Sequence, residues 1–329
     1  MSAVMIVTEA IRHLPGKHVE MLHAAGYEVL YPVKSVLQTE NDTIEALQGC
    51  VAAIASGEPY TARVLDQLPE LKVISRNGVG YDMVDVAAAT ERGVVVTITP
   101  AGNHGAVAEH AMALLLAAAR SIVNSATSTR GGLWQRQRTA YIPLRGSTLG
   151  IVGLGRIGRS VAMRARAFGM QVMACDELPD AGFARQNEIK LCDLDTLLAA
   201  SDFVTLHAPM TPRTRGLINS DTLARMKPGS VLVNTARGGL IDEDALLAAL
   251  QSGHLAAAAL DVLASEPPPK DHPLLAMENV IVTPHVASFD TQAREDMAVG
   301  AAQNIIDLLS GHWPAVSVVN PDVRAAWQK

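Results

Sequence analysis

The sequence has few cysteines, no cluster of basic residues and no long apolar run. Its three cysteines, Cys50, Cys175 and Cys192, are scattered and form neither a C-x-x-C pair nor the spacing of a metal site. We therefore expect reduced thiols and no bound metal. The formal net charge is −6 and no run of Lys or Arg reaches motif length, which argues against a nucleic-acid partner and against binding to an anionic membrane surface.

The sequence also gives no sign of export or of a membrane anchor. Residues 1–10 lack the basic start and the small-residue cleavage site of a signal peptide, and we interpret them as part of a first β-strand. The longest apolar stretch, residues 111–119, is well short of the roughly 18 residues that cross a bilayer. We expect a cytoplasmic protein with no membrane partner.

The composition that is present is typical of a compact enzyme. Of 329 residues, 49% are hydrophobic and 18% are charged, which is unlike a disordered chain. This length is enough for two domains of roughly 100–200 residues each. Short β-rich apolar runs alternate with helical patterns, and this alternation indicates parallel sheets covered by helices. We predict an α/β fold with two Rossmann-like or flavodoxin-like parallel-sheet domains and an active-site cleft between them.

The predicted strands form two series, which define the domains. The first series comprises residues 3–7, 51–54, 72–75 and 94–97, and the second comprises residues 148–152, 171–175, 203–206, 230–234, 256–260 and 280–282. Helical patterns are expected at residues 61–67, 84–92, 106–120, 157–168 and 291–309. We assign residues 1–99 with 286–329 to a substrate-binding domain and residues 100–285 to a nucleotide-binding domain.

A glycine-rich segment opens the second series. Residues 153–158 match G-x-G-x-x-G, with a predicted strand before them and an amphipathic helix after them. In this motif Gly153 permits the tight turn, Gly155 lets a pyrophosphate approach the backbone, and Gly158 lets the helix pack closely on the strand. The alternative is a tight turn in a sheet that binds no nucleotide. The strand and helix in place on either side favour dinucleotide binding.

An acidic residue at the end of the next strand indicates which dinucleotide is bound. Asp176 lies eighteen residues after Gly158, where a carboxylate accepts a hydrogen bond from a ribose 2′-hydroxyl and repels a 2′-phosphate. Glu177 adds to this repulsion, and no Arg or Lys follows before Arg185. We therefore predict that the cofactor is NAD rather than NADP.

Charged side chains also follow later strands of the second series. His207, Arg237, Asp261 and His285 come at or just after strand ends, and Glu266 lies in the loop after Asp261. Ligands of open α/β sheets bind beyond these carboxyl ends. Reduction of a ketone needs a proton donor, for which His is suited, and a cation such as Arg to hold a carboxylate. Each residue alone has an ordinary explanation as a turn residue, but their joint placement favours Arg237, Glu266 and His285 as a catalytic set.

These motifs together identify a family. The sequence resembles the D-isomer-specific 2-hydroxyacid dehydrogenases, which include phosphoglycerate dehydrogenase and the hydroxypyruvate/glyoxylate reductases. The resemblance runs from about residue 51 to the C-terminus and is carried by residues 76–82, 150–158, 234–239, 260–262, 266–267 and 283–285.

The resemblance implies a role for each matching position. Arg237 matches the substrate-binding arginine, Glu266 the acid paired with histidine, and His285 the general acid/base. Arg76 and the backbone N–H groups of Asn77, Gly78 and Val79 match the substrate-binding loop. The cofactor-binding positions are Val107, Gly153, Gly155, Arg156, Ile157, Gly158, Asp176, His207, Ala208, Pro209, Thr235, Ala236, Asp261 and His285.

The implied activity is hydride transfer between NAD and C2 of a small (R)-2-hydroxy or 2-oxo acid. Candidate substrates are hydroxypyruvate, glyoxylate and phosphoglycerate-like or sulfolactate-like acids, since Arg76 leaves room for a second anionic group. Phosphoglycerate-oxidising members commonly carry Arg-Ser at the end of the third strand and a second Arg before Gly-Val/Thr-Gly. This chain has Ala55-Ser56 at the first place and keeps Arg76 at the second, so one of the two arginines expected to bind the phosphate is missing.

Two other functions and an assembly are also implied. A formate- or phosphonate-type oxidation on the same scaffold is disfavoured, because formate dehydrogenases of this fold usually have Gln where this chain has Glu266. An NAD(H)-sensing, corepressor-like protein without significant turnover stays open as the alternative. Family members are usually homodimers through an arm that here spans residues 100–147, and this arm places Arg136 near the partner's active site.

Overall fold

The computed structural model describes residues 2–34, 36–134 and 141–327. These residues form two compact units, one of residues 2–103 together with 289–327 and one of residues 104–288. Each unit is built on one parallel sheet with helices along the chain between the strands, so the predicted α/β class with two parallel sheets is confirmed. Arg136 lies outside the described residues, and its expected place stays a prediction.

The first unit contains a five-stranded parallel sheet. Its strands are β1 (Ala3–Ile6), β2 (Glu28–Leu30), β3 (Cys50–Ala55), β4 (Val73–Arg76) and β5 (Val95–Thr97). Its helices are α1 (Lys17–Ala24), α2 (Glu40–Leu47), α3 (Ala62–Asp66) and α4 (Val86–Glu91), and, from the end of the chain, α12 (Thr291–Leu309) and α13 (Arg324–Trp327). The strand order β2-β1-β3-β4-β5 is the flavodoxin-like order.

The long C-terminal helix of this unit covers one face of its sheet. The Asp290 carboxylate caps α12 by accepting a hydrogen bond from the Ala293 N–H at 2.6 Å. The helix packs on β3 and β4, and the Ser75 hydroxyl donates to the Ala301 carbonyl at 2.9 Å. Small residues on the buried side of α12, such as Ala301 and Ala302, let the helix approach the sheet closely.

The second unit contains a seven-stranded parallel sheet. Its strands are β6 (Thr148–Val152), β7 (Gln171–Cys175), β8 (Lys190–Leu191), β9 (Phe203–Leu206), β10 (Ser230–Asn234), β11 (Leu255–Leu260) and β12 (Val280–Val282). Its helices are α5 (His104–Ala119), α6 (Ile122–Arg130), α7 (Arg156–Ala167), α8 (Ala181–Gln186), α9 (Leu194–Ala200), α10 (Ser220–Arg225) and α11 (Glu243–Gln251). The strand order β8-β7-β6-β9-β10-β11-β12 extends the dinucleotide-binding order by one strand.

The predicted strands lie close to the observed ones. In the second unit β6, β7, β9, β10 and β12 have the predicted bounds, and β11 begins one residue earlier. The two short strands β2 and β8 were not predicted. Each has three residues or fewer, which is too short for a pattern of alternation to show.

The helix rich in Ala and Leu, α5, is a core helix of the second unit. Leu114 and Leu115 are buried in the cluster that packs it against α7 and the sheet. Over the described parts of the chain, no single helix is long and apolar enough to cross a membrane. Helices α5 and α6 taken together have the required length and apolar composition, but the chain bends by 64° between them.

Candidate active site

The glycine-rich loop between β6 and α7 has the backbone shape that its sequence predicts. Gly153 has φ of 95°, and a Cβ there would lie 2.6 Å from the Ala208 nitrogen, so the turn needs glycine. A Cβ on Gly158 would lie 2.1 Å from the Gly153 carbonyl oxygen, which explains the close packing of helix on strand. By contrast, a Cβ on Gly155 would meet nothing within 4 Å, so the approach to the loop is open.

The open approach leads to the first turn of α7. This helix has twelve residues and begins immediately after Gly155, which is its N-cap residue. Arg156, Ile157 and Gly158 therefore present backbone N–H groups at the positive end of a helix dipole. A pyrophosphate fits this arrangement, because free N–H groups and a positive end are what bind phosphate at helix N-termini.

Asp176 follows β7 and is held against the glycine-rich loop. Its Oδ2 accepts a hydrogen bond from the Leu154 N–H at 2.6 Å, and its Oδ1 accepts one from the Leu178 N–H at 2.8 Å. Each carboxylate oxygen keeps capacity for a further donor such as a ribose hydroxyl. Glu177, by contrast, forms an ion pair with a side chain, because the Arg213 guanidinium lies 3.2 Å from its Oε1. Arg213 was not predicted from the sequence, since no motif marks its loop.

Two buried polar atoms at the strand ends lack partners within the described structure. They are Nδ1 of His207, after β9, and Oγ1 of Thr235, after β10. Burial lowers the pKa of His207 to about 3, so this imidazole stays neutral and does not serve as a general acid. Its Nε2 is 3.0 Å from the Thr205 hydroxyl. Unsatisfied buried groups of this kind fit a polar ligand such as the amide, ribose or phosphates of a dinucleotide.

The remaining predicted cofactor positions lie on several segments of the second unit. Ala208 forms the wall against Gly153, and the Pro209 carbonyl accepts a hydrogen bond from the Thr214 hydroxyl at 2.7 Å. The Ala236 N–H donates to the Asn234 side chain at 2.9 Å. Val107 is buried on the first turn of α5.

His285 and Glu266 form a hydrogen-bonded pair in the second unit. The His285 Nδ1 is 2.6 Å from the Glu266 Oε2, and the Leu263 N–H donates to Oε1 of the same carboxylate at 3.1 Å. Because a carboxylate accepts hydrogen bonds, Nδ1 carries the proton of this bond. The pair leaves Nε2 of His285 as the nitrogen that can exchange a proton with a bound molecule. The two side chains are 50% and 37% exposed, which permits such access.

Asp261, after β11, holds the segment that carries His285. Its carboxylate is 1% exposed and accepts hydrogen bonds from the N–H groups of Val286 and Ala287, at 3.0 and 2.8 Å, and from the Thr283 hydroxyl at 2.5 Å. Burial opposes ionisation of Asp261, but hydrogen bonding with His110 and with the Thr283, Val286 and Ala287 groups outweighs it, so the pKa of Asp261 lies below its usual value. The cofactor-binding role that the family resemblance implies for Asp261 stays a prediction.

A histidine that the sequence analysis did not single out completes this network. The Nε2 atom of His110, on α5, lies 3.0 Å from the Thr283 hydroxyl and 3.4 Å from Asp261 Oδ1. His110 follows Val107 by three residues, so both lie on the same face of α5, and this spacing could have indicated His110. The contact with Asp261 depends on how α5 packs on β11 and β12, which the sequence does not show.

Arg237 begins the short 3₁₀ helix Gly238–Leu240 after β10. Its NH1 donates to the Ala236 carbonyl at 2.7 Å, and the Asn234 side chain donates to the Arg237 carbonyl at 2.8 Å. A Cβ on Gly238 would lie 2.0 Å from the Leu263 carbonyl carbon. Glycine at 238 therefore brings the Arg237 turn against the loop that holds Glu266.

The predicted substrate loop lies in the first unit, after β4. Arg76 donates from Nε to the Gly80 carbonyl at 2.8 Å. The Asn77 N–H donates to the Ala55 carbonyl at 2.9 Å and extends the β3–β4 ladder, and the assignment of Asn77 to the substrate stays a prediction. The N–H groups of Gly78 and Val79 have no acceptor among the described residues, so these two stay as predicted carboxylate donors.

The described residues contain no group of three or more His, Cys, Asp or Glu side chains arranged to hold a metal ion.

Comparison with known proteins agrees with this geometry. Residues 112–287 match the family model described as D-isomer specific 2-hydroxyacid dehydrogenase, NAD binding domain. The chain belongs to this family. The matched residues all lie within the second unit, residues 104–288.

Individual members of the family are similar over most of this chain. The D-3-phosphoglycerate dehydrogenase of Archaeoglobus fulgidus is 42% identical over 302 residues, which cover 92% of this chain and 57% of the relative. The solved TT0316 protein of Thermus thermophilus is 39% identical, with a TM-score of 0.86 over 96% of this chain and 99% of that one. Apo D-lactate dehydrogenase from Escherichia coli is 29% identical, with a TM-score of 0.83 over 97% and 100%. The chain spans about half the length of the curated relatives it matches.

Proposed function

We propose that the protein is an NAD-dependent dehydrogenase that transfers a hydride between nicotinamide and C2 of a small (R)-2-hydroxy or 2-oxo acid. The observation that carries the proposal is the 2.6 Å hydrogen bond between His285 Nδ1 and Glu266 Oε2 in the same unit as the dinucleotide loop. A proton donor oriented by a carboxylate is what the reduction of a ketone requires of the protein.

NAD(H) held at the glycine-rich loop would supply or accept the hydride at C2. In the reducing direction His285 gives the proton on Nε2 to the carbonyl oxygen, which becomes the hydroxyl group. In the oxidising direction His285 takes that proton back from the hydroxyl. Glu266 stabilises the protonated ring and fixes its orientation through Nδ1.

Arg237 binds the substrate carboxylate and polarises the carbonyl, because its planar guanidinium donates two parallel hydrogen bonds to a carboxylate. We assign the N–H groups of Gly78 and Val79 to the same carboxylate, as the family resemblance implies. His207 and Thr235 are assigned to the cofactor, since each has a buried atom without a partner in the described structure.

We infer that NAD is preferred over NADP. Asp176 supports this preference, because its carboxylate is fixed beside the glycine-rich loop and repels a 2′-phosphate. Glu177 contributes less than its sequence position indicates, since Arg213 pairs with it.

The test is oxidation of NADH, followed by its absorbance, against a panel of small 2-oxo acids. Turnover of at least one acid that is lost in His285→Ala supports the dehydrogenase. Tight NADH binding without turnover of any acid supports instead an NAD-sensing, corepressor-like protein, and it contradicts the proposal.

We also propose that the protein works as a homodimer. Apolar side chains are exposed on α6 and on the segment after it, and Trp134 is 86% exposed. Exposed apolar groups of this kind mark protein–protein contacts. Ile122, Val123 and Leu133 are exposed on the same stretch. A monomeric mass by light scattering at micromolar concentration contradicts the assignment.

The three cysteines are free thiols, as expected for a reducing compartment, and we infer a cytoplasmic location. Recovery of the native protein from the membrane or secreted fraction of its cells contradicts this inference.

A further inference from the structure

The first unit contains a buried carboxylate next to the predicted substrate loop, and the site described above does not use it. Glu58 is 2% exposed and lies in the loop after β3. Ala55, the last residue of β3, pairs in register with Arg76 at the end of β4, and the Asn77 N–H donates to the Ala55 carbonyl. The Glu58 loop and residues 77–79 therefore leave the sheet from adjacent strand ends.

The Glu58 carboxylate is held in a fixed position. Its Oε1 and Oε2 lie 3.1 and 3.0 Å from the Ser56 N–H nitrogen, and the Tyr60 hydroxyl donates to Oε1 at 2.7 Å. Tyr60 is fully buried, its N–H donates to the Met83 carbonyl at 2.8 Å, and its carbonyl accepts from the Asp85 N–H at 2.9 Å. The carboxylate is thus anchored by groups that are themselves fixed in the backbone.

The charges of Glu58 and Arg76 both act on the Tyr60 hydroxyl. Burial raises the pKa of Tyr60 well above its usual value, and the charge of Glu58 and its hydrogen bond raise it further, whereas the charge of Arg76 acts in the opposite direction. The Arg76 Nε is also committed to the Gly80 carbonyl. Glu58 therefore adds a buried acidic group beside the end of β3, where Ala55 supplies no cation.

We propose that Glu58 determines the substrate class, so that the protein acts on 2-hydroxy or 2-oxo acids with an uncharged group at C3 and rejects those with a phosphate there. This inference rests on the proposed function, since it takes the N–H groups of Gly78 and Val79 as the donors to the substrate carboxylate. A phosphate carries about −1.5 to −2 charges at neutral pH, and a buried carboxylate nearby repels it strongly because the dielectric is low. A hydroxyl, hydrogen or methyl group meets no such repulsion.

The direct test compares hydroxypyruvate with its 3-phosphate as substrates of the wild-type protein with NADH. We expect kcat/KM to favour the unphosphorylated acid by about 100-fold or more, the size of discrimination that an unfavourable charge contact gives. A preference of less than about tenfold, or a preference for the phosphate, overturns the inference.

Variants separate the charge of Glu58 from its packing. Glu58→Gln keeps the shape and an acceptor oxygen but removes the charge, so the preference should narrow by about tenfold or more while KM for NADH is unchanged. Glu45→Gln removes one charge from an exposed position on α2 of the same unit and should leave the preference as it is. An unchanged ratio in a folded Glu58→Gln protein excludes Glu58 as the determinant.

Binding distinguishes failure of this inference from failure of the proposed function. If no 2-oxo acid is reduced, the dehydrogenase proposal fails, but calorimetric titration of the NAD-loaded protein still compares glycerate with 3-phosphoglycerate. Tighter binding of glycerate supports the role of Glu58. Tighter binding of 3-phosphoglycerate overturns it, whatever the turnover.

Discussion

The Nδ1 atom of His285 lies 2.6 Å from Oε2 of Glu266, and the histidine that makes this bond has a left-handed backbone with φ of 53°. A residue with a side chain rarely adopts this conformation unless its surroundings impose it. Here the His285 N–H donates to the Asp261 carbonyl at 2.9 Å, and the Asp261 carboxylate accepts from the next two N–H groups. The orientation of the imidazole is therefore set by both its backbone and its side-chain partner.

Replacing His285 should remove the proton donor and leave cofactor binding intact. We expect His285→Ala to lower kcat by roughly 10²–10⁴-fold, which is the usual contribution of a positioned general acid. NADH affinity, measured by fluorescence titration, should change little. His254 binds the Leu223 carbonyl away from this pair, so His254→Ala is the matched control and should keep near-normal kcat. Equal losses in both variants would contradict a specific role for His285.

Arg237→Lys tests whether the planar guanidinium is needed. Lysine keeps the charge but cannot donate two parallel hydrogen bonds to one carboxylate, so kcat/KM for the oxo acid should fall by about tenfold or more. KM for NADH should stay near the wild-type value. Arg225→Lys changes a surface ion pair with Asp195 and should have no kinetic effect. If the Arg237 variant behaves like the wild type, Arg237 is a turn residue only.

The cofactor preference should depend more on Asp176 than on Glu177. We expect kcat/KM for NADH to exceed that for NADPH, and we expect Asp176→Ala to narrow the ratio because the fixed carboxylate that repels a 2′-phosphate is gone. Glu177→Ala should narrow it less, since Arg213 already neutralises that carboxylate. Steady-state kinetics with both nucleotides decide this. A wild-type enzyme that uses NADPH as well as NADH contradicts the prediction.

Asp261→Asn should destabilise the protein, because an amide has one acceptor oxygen for donors that the carboxylate now satisfies. We expect the free energy of unfolding in urea to fall by about 1–3 kcal/mol, the cost of leaving a buried donor unsatisfied. The pKa of Asp261 is lowered in the folded protein, so its stabilisation is complete above the unfolded pKa of about 3.9 and is lost as the pH falls through the folded value.

The difference in the free energy of unfolding between the wild type and Asp261→Asn should thus be constant from about pH 6 to 8. It should shrink below about pH 4. Asp195→Asn, at an exposed ion pair, is the control and should change stability by less than about 0.5 kcal/mol. A difference that grows as the pH falls would show that Asp261 is not the ionised acceptor.

The sequence predicted the strands well where apolar runs are bounded by polar or glycine residues, as for β6 and β9. The positions of Arg237 and His285 just after predicted strands indicated them as candidate catalytic residues. What it did not predict depends on contacts between distant segments. Arg213 is linked to Glu177 by the path of a loop, and Asn77 is used by the β3–β4 ladder, so neither is visible in a local pattern.

The burial of Glu58 could not be predicted from the sequence either, because a single glutamate in a loop is usually exposed. Its burial follows from the Tyr60 hydroxyl and the Ser56 N–H, which meet it when the loop folds back on the end of β3. In the second unit the contact between His110 and Asp261 likewise comes from the packing of α5 on the sheet and not from a sequence spacing.

The charge of Glu266 should control the pH dependence of the reaction. In the reducing direction the protonated imidazole of His285 is the reactive form, and a carboxylate 2.6 Å from Nδ1 stabilises that form. Glu266→Gln keeps size and a hydrogen-bonding group but removes the charge, so the positive charge of the reactive imidazole loses its partner. The high-pH limb of the kcat profile should therefore shift to lower pH, with NADH binding unchanged.

Glu278→Gln is the matched control for this profile, since Glu278 is exposed in the same unit and its side chain has no part in the His285 pair. Its profile should overlay that of the wild type, because a distant exposed charge is screened by salt. If the Glu266→Gln profile also overlays the wild type, then the carboxylate does not act through the imidazole. His285 would in that case either work without a charged partner or have no part in proton transfer, and its own alanine variant distinguishes the two.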